Sequence, residues 1–405
     1  MPRLLLLLPQ LPQDPASGAA RSMRTACEML ATAGWEVQTL ATTATESAVP
    51  LAAAEFLRTA GYAVTTRAPN RAVYRHDRAV LEFIGRHRIF FRLLDTGSAP
   101  PHDWQDAHGT QFNRLFQREL TEFRPDIVFA FGGTPADIDR YRRAQAAGSK
   151  VVFGLRNQGY REAHWLRSLD AVLTPSQFLA GFYETALGLH STPLPTPIDL
   201  EDIVAPNREA IFFTAVNPSR EKGAFFLARL AEELALRRPD VPMLFIESRG
   251  SAGALVQAGL AGGFDLRRHE GLMFAPAVPK PAEFFRGTRV LLVPSVWEEA
   301  SGRVVAEALV NGVPPIVSER GGLAESTCGA GFVVPLPKSL TLETNLPVSA
   351  EDVAPWLDCM ERLVDDATYA QASARARVAG EAYQPAVLAP RYVEFFNRVL
   401  NAAKR

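Results

Sequence analysis

Short apolar runs separated by polar segments of helical period organise this chain. The first run is Leu4–Leu8, and Pro9, Gln10 and Asp14 follow at once. A strand covered by helices on both sides has no polar face to show, so a run of this length reads as a buried strand. After the loop PQLPQDPASG, residues Ala19 to Ala33 carry Met23, Ala26, Cys27 and Leu30 at helical spacing, with Arg21, Arg24, Glu28 and Thr32 on other faces. Gly34 stops this helix, and Glu36–Ala41 predicts the second strand. Strand, helix and strand at this length form a βαβ unit, which implies a parallel sheet.

The pattern recurs at Pro125–Gly133, Lys150–Leu155 and Asp170–Ser176, each a predicted buried strand. Residues 79–94 alternate rather than turn helically and have Gly85 at their centre, which predicts a hairpin. In Thr192–Asp199 three prolines alternate with other residues and predict a stiff linker. Beyond it the alternation restarts. Ile211–Val216 predicts a strand, and Gly223 to about Leu236 a helix with Phe226, Leu227, Leu230 and Leu234 inward. Pro242–Ser248, Arg289–Ser295 and Pro314–Ser318 continue a second sheet, and Leu388, Tyr392, Phe395, Phe396 and Val399 form an apolar stripe on a last helix. The expected organisation is a domain over 1–192, a linker over 193–207, a second domain over 208–385, and a final helix over 386–405.

Composition narrows the classes. With 405 residues, 47% apolar and 21% charged, the chain is globular rather than disordered, and a net charge of −1 gives no general reason to expect nucleic acid. The leucines near the start mimic a signal peptide, but a secretory core needs roughly 7–15 apolar residues and a membrane span about 20. Cys27, Cys328 and Cys359 lie far apart with no C-x-x-C, so disulfides and structural zinc are not expected and a cytoplasmic location is. No D-x-D or His/carboxylate cluster stands in a context suited to a divalent ion, so no metal is expected.

The segment Val293–Gly322 carries the most chemistry. A strand ends at Pro294-Ser295, a loop brings Glu298 and Glu299, and a helix is predicted from Ser301-Gly302 to Asn311-Gly312, with Ser301 as N-cap and Gly312 as C-cap. The N–H groups of Gly302, Arg303 and Val304, with the helix dipole behind them, make an anion site suited to phosphate. Gly302 lacks a Cβ, which lets a ligand come close. Glu299 and Glu307 are placed to accept hydroxyl hydrogen bonds from two parts of one elongated ligand. The plain alternative pairs Glu307 with Arg303 at i,i+4 on a surface helix. Asn217–Gly223 (NPSREKG) also follows a strand and opens a helix, and it offers Lys222 and Arg220 as cations. In the first half, the loop Asp14–Arg21 offers Gly18, with a helix cap by Ser17 as an equal explanation.

The array Pro294, Ser295, Glu299, Gly302, Glu307, Ala308, then Gly312, Pro314, Gly321 and Gly322, resembles the donor-binding region of family-4-type retaining glycosyltransferases, the glycosyl transferases group 1. The resemblance implies a GT-B fold, in which two Rossmann-like domains with parallel sheets face each other across a central cleft, and a final helix that packs back on the first domain. It implies a donor sugar on Glu299, the nucleotide ribose on Glu307, and a diphosphate held by Lys222, the start of the Gly302 helix (Ser301, Gly302, Arg303, Val304), and Arg220 or Asn217. The sequence departs from the family in three places. Asn217 or Val216 occupies the usual arginine position, Gly18 stands alone where relatives have a glycine pair, and Arg156 and Asn157 replace a sugar-contacting histidine. His164, next to Trp165, reads as structural.

The implied reaction is metal-independent, retaining transfer from a UDP- or GDP-sugar to the hydroxyl of a glycan, lipid-linked or small-molecule acceptor, with Glu299 and Lys222 acting on the reacting bond. Two alternatives stay open: a catalytically inactive nucleotide-sugar-binding protein of this fold, and a GT-B epimerase or phosphorylase. No strand is followed by G-x-G-x-x-G, which argues against a nicotinamide enzyme. Arginines 67, 71, 75, 78, 86, 88 and 92 oppose only Asp77 and Glu82. This region reads either as an exposed hairpin face or as a peripheral contact with anionic lipid at the inner face of the membrane. Nothing in the sequence indicates an oligomeric state.

Overall fold

The computed structural model describes residues 1–46, 51–70, 72–97, 100, 103–278, 280–343 and 347–402. The chain divides into two compact units, one made of residues 1–175, 180–197 and 385–405, the other of residues 176–179 and 198–384.

The first unit is built on strands β1 (Arg3–Leu7), β2 (Glu36–Thr42), β3 (Thr65–Arg67), β4 (Val80–Ile84), β5 (Phe90–Leu94), β6 (Ile127–Ala130), β7 (Lys150–Gly154), β8 (Ala171–Thr174) and β9 (Thr192–Pro193), in the order β3-β4-β5-β2-β1-β6-β7-β8-β9. All neighbours are parallel except β3/β4 and β4/β5. The leucine run lacks alternation because both its faces are covered. Leu4, Leu6 and Leu8 join Met23, Ala26, Cys27 and Leu30 of the helix Gly18–Thr32 in one core, while Leu5 and Leu7 are buried as well. The helix Pro385–Asn401 lays Leu388, Tyr392, Phe395, Phe396 and Val399 into that same core. Residues 403–405 of the expected final helix lie outside the described residues.

The hairpin forms as predicted, with β4 antiparallel to β5 and the Phe83 and Phe91 rings stacked at 4.8 Å. Its basic face is smaller than the sequence suggested. Arg92 points inward and pairs with Glu82 (3.0 Å) and with Glu119, and Arg67 is held by Glu82. Strand alternation places Arg92 on the covered face, which a count of arginines cannot reveal. Arg71 lies outside the described residues. The linker also needs correction, because Thr192–Pro193 is a strand at the sheet edge, paired with β8. A residue before proline favours the extended region, and an edge position tolerates the missing N–H.

The second unit holds β10 (Phe212–Val216), β11 (Met243–Ile246), β12 (Leu272–Ala275), β13 (Thr288–Val293), β14 (Pro315–Val317) and β15 (Phe332–Val333), in the order β12-β11-β10-β13-β14-β15 with every pair parallel. The helix Ala224–Arg237 buries Phe226, Leu227, Leu230 and Leu234 against Phe213, Met243, Phe245 and Trp356. The sequence reading missed β12 and β15. Both are edge strands of two to four residues that are largely not buried, so they lack the apolar run that marks the others.

Candidate functional site

In the second sheet the connection after β10 leads by way of Ala224–Arg237 to β11 on one side. The connection after β13 leads through the helix Arg303–Val310 to β14 on the other. The order in which strands are added therefore reverses between β10 and β13, and the crevice beyond the carboxyl ends of such a strand pair is where open α/β sheets bind ligands. Both loops singled out in the sequence flank this point: Asn217–Gly223 follows β10, and Pro294–Gly302 follows β13.

The two loops are locked together. The Val296 and Trp297 N–H groups donate to the Glu221 carbonyl at 2.9 and 3.1 Å. Gly223 has φ +84, and a Cβ there would run into the Pro294 carbonyl oxygen. A third loop closes the group, with Gly322 N–H donating to the Glu299 carbonyl at 2.7 Å and Gly321 (φ +66) bridged to Glu299. A Cβ on Gly321 would collide with the Glu299 backbone. These glycines are required by close backbone approach as well as by their positive φ.

At the centre Lys222 Nζ pairs with Glu299 Oε1, which also accepts from Ser295 Oγ at 2.8 Å. The structure thus brings together the two residues assigned to the reacting bond. Lys222 keeps 26% of its side-chain exposure and Glu299 14%. The Lys222 ammonium is thus partly open to solvent, so an anionic ligand can reach it and compete with Glu299 for its charge. Beside it, hydrogen bonds from its own backbone and from Ser219, followed by the charges of Arg249 and Lys222, hold the Glu221 carboxyl below the usual carboxylate range.

The start of the helix Arg303–Val310 differs from the sequence reading in two ways. Gly302, not Ser301, is the N-cap, and the Gly302 N–H is spent on Ser326 Oγ at 2.8 Å. Gly302 is glycine for a packing reason, because a Cβ would sit 2.8 Å from Val305 Cγ2 and 2.9 Å from Leu323 Cδ2. Arg303 and Val304 form the opening of the first turn, ahead of the Val305 and Ala306 amides that donate to the Gly302 carbonyl. Ser326 gave no signal in the sequence, since its role appears only when the loop after β14 folds over the helix start.

Glu307 adopts the plain arrangement. Its carboxylate accepts from Arg303 Nε at 2.8 Å, and both side chains are nearly buried. Asn217 also has a structural occupation. It sits at φ +59, and its Oδ1 accepts the Gly250 N–H at 2.6 Å, tying the loop after β10 to the loop after β11. That contact fixes the loop's path and leaves the carboxamide oxygen engaged. Arg220 is exposed on the same loop.

In the first unit, Gly18 is the first residue of its helix, behind the Ser17 cap, whose hydroxyl accepts from the Ala20 N–H at 3.3 Å. The preceding loop is anchored by buried Asp14, whose carboxylate accepts the Ala16 and Glu46 N–H groups at 2.9 and 2.8 Å. Burial raises its pKa against those bonds. His164 is exposed on a short 3-10 turn. Among the described residues, no group of three or more His, Cys, Asp and Glu side chains is arranged to hold a metal ion. No helix among them is long and apolar enough to cross a membrane.

Residues 208–366 match the family model for glycosyl transferases group 1. A curated relative, the D-inositol 3-phosphate glycosyltransferase of Corynebacterium diphtheriae, is 29% identical over 151 residues, which is 36% of this chain and about a third (32%) of that protein. Among solved structures, a glycosyltransferase from Rickettsia africae superposes with a TM-score of 0.67 at 12% identity over 99% of this chain and 100% of that one. Sucrose-phosphate synthase from Thermosynechococcus elongatus gives 0.68 at 16% over 100% of both. Anabaena Alr3699/HepE, solved in complex with UDP, gives 0.64 at 14% over 98% and 100%. The second unit thus carries a segment matching the glycosyl transferases group 1, and the chain as a whole has the GT-B fold of these glycosyltransferases.

Proposed function

We propose that this protein is a retaining glycosyltransferase that moves a sugar from a UDP- or GDP-sugar to an acceptor hydroxyl without a metal. The observation that carries the reading is the Lys222–Glu299–Ser295 group at the switch point of the second sheet, next to the first turn of the helix Arg303–Val310. Cleaving the sugar–diphosphate bond develops negative charge on the leaving phosphate. A fixed ammonium and a helix N-terminus favour that charge without reorganising when the bond breaks. The diphosphate competes with Glu299 for Lys222, and Arg220 supplies a second cation from the same loop. Glu299, released from Lys222, accepts a donor hydroxyl and places the anomeric carbon. Glu307 accepts from the ribose with its remaining lone pairs. The matching family segment and the UDP complex of a neighbour of the same fold support a nucleotide-linked donor. Retention rests on the family resemblance.

The test is sugar transfer by Lys222→Ala and Glu307→Gln, with circular dichroism to confirm folding. Glutamine is used at 307 because it keeps an acceptor for Arg303 Nε in a nearly buried place. Each variant should lose about 10²–10³ in turnover. Unchanged turnover in both contradicts the assignment. One observation favours a second reading, a binding protein without turnover: neither Asn217 nor Val216 supplies an arginine at the family's arginine position, and the Asn217 carboxamide oxygen is engaged by the Gly250 N–H. Nucleotide-sugar binding with neither transfer nor hydrolysis would select it.

A further inference from the structure

The helix Arg303–Val310 carries its charged pair in the order that suits its own stability least. A helix N-terminus is the positive end of the backbone dipole, so acids belong in the first turn and bases in the last. Among i,i+4 pairs, the order with the acid first is the better one. Here Arg303 is the first helical residue and Glu307 follows one turn later, so the cation stands where the amide dipoles disfavour it. The same helix start is where an anionic ligand is drawn.

Nor is this a solvated surface pair. Arg303 keeps 13% of its side-chain exposure and Glu307 6%, whereas the i,i+4 pair Arg118–Glu122 keeps 51% and 61%. Taking two charges out of water is costly, and packed apolar side chains in their place would serve stability as well or better. Stability alone therefore does not account for the pair.

The surroundings fix both partners. The Gly302 N–H donates to Ser326 Oγ at 2.8 Å and Ser326 Oγ donates to the Gly322 carbonyl at 2.9 Å, which pins the helix start. One turn beyond Glu307, Asn311 Nδ2 donates to the Glu307 carbonyl at 2.9 Å and to the Ile203 carbonyl at 3.0 Å, while its Oδ1 accepts the Ala205 N–H at 2.8 Å. Side chains on a helix lean toward its N-terminus, so the Glu307 carboxylate reaches back over the first turn. There Arg303 Nε donates to its Oε1 at 2.8 Å. Among the described residues no hydrogen bond is made to Oε2. One carboxylate oxygen is thus clamped, and the other keeps its acceptor capacity for a ligand. Holding the side chain in one direction beforehand removes its ordering cost from the binding step.

We propose that Arg303 is a positioning residue of the donor site: its guanidinium aims the Glu307 carboxylate at the vicinal hydroxyls of a ribose, which makes the site selective for ribonucleotides. This rests on the transferase reading for its ligand, and it adds a residue that acts through Glu307.

The experiment uses the full chain as wild type, Arg303→Met, Arg303→Lys and the double variant Arg303→Met/Glu307→Leu, with melting curves to confirm folding. Calorimetry measures the affinities of UDP and GDP and of the 2′,3′-dideoxy form of each. Wild type should bind a ribonucleotide about tenfold or more tightly than its dideoxy form, and Arg303→Met should reduce that ratio to about threefold or less. Arg303→Lys, which still reaches across one helical turn, should restore part of the ratio. The double variant should melt above Arg303→Met, which leaves the Glu307 charge buried without its partner, and should not discriminate between the two forms. A disturbed fold or a lost phosphate contact weakens both forms together and leaves the ratio alone, so the ratio separates aiming from a structural role. The inference is overturned if wild type binds both forms equally, if Arg303→Met keeps the wild-type ratio, or if Arg303→Lys raises a lowered ratio no better than methionine does. Binding of neither nucleotide to wild type removes the transferase reading and this inference together; firm nucleotide binding with an unchanged ratio in Arg303→Met removes this inference alone.

Discussion

Single residues at the second-unit site are constrained mainly by backbone proximity. Gly223 combines a left-handed φ with a Cβ position already occupied by the Pro294 carbonyl, so an alanine there has to push the loop after β10 off the loop after β13. The expected cost of Gly223→Ala is about 1–3 kcal/mol of stability for the strained backbone alone. The displacement also separates Lys222 from Glu299. Urea unfolding should show the lowered midpoint, and nucleotide affinity should fall with it; a variant as stable as wild type would mean that the loop contact is unimportant. The chemical types at this site were readable in the sequence, because Lys222, Glu299 and Glu307 stand at spacings that a loop and a helix start convert into one cluster. Their present partners were not readable. Asn217 engaging Gly250, Gly302 donating to Ser326 and Lys222 pairing with Glu299 all join residues 24 or more positions apart, and only tertiary folding selects among them.

Among the elements, the last helix shows how a periodic stripe converts into stability. Leu388, Tyr392, Phe395, Phe396 and Val399 recur at helical spacing, and all five are buried in the core built around β1. Phe396 is fully buried and meets Trp35 and Phe129 edge-on, with ring centroids 6.1 and 5.3 Å away. Phe396→Ala should therefore cost about 3–5 kcal/mol, measurable as a reduced free energy of chemical denaturation, whereas a surface helix would lose less than about 0.5 kcal/mol. Long, regular elements such as this were legible from periodicity. The hairpin was legible too, because alternation and a central glycine reinforce each other. The short edge strands β3, β9, β12 and β15 were not, since an edge strand of two to four residues owes its pairing to its neighbour rather than to its own apolar content.

For the whole molecule, the two units share one plan: a largely parallel sheet whose strand order reverses between two central strands, with polar loops beyond their carboxyl ends. Alternating strand and helix signals predicted two parallel sheets, yet strand order is set by which helix crosses over which face, and that information is spread through the core. Specific motifs were confined to the second half, and the family match covers residues 208–366 of it. The first unit's buried Arg156 and Gln13 carry no motif, and their surroundings, with Tyr392 of the last helix beside Arg156, become visible only once the unit folds around them. The central claim is that Lys222, together with the start of the helix Arg303–Val310, grips the diphosphate of a nucleotide. Calorimetric titration of wild type and Lys222→Ala with UDP and GDP tests it most directly. The account predicts that wild type binds at least one of the two and that Lys222→Ala binds it at least tenfold more weakly, a loss of about 1.4 kcal/mol or more. Equal affinity in the two proteins, or no binding of either nucleotide to wild type, would contradict it.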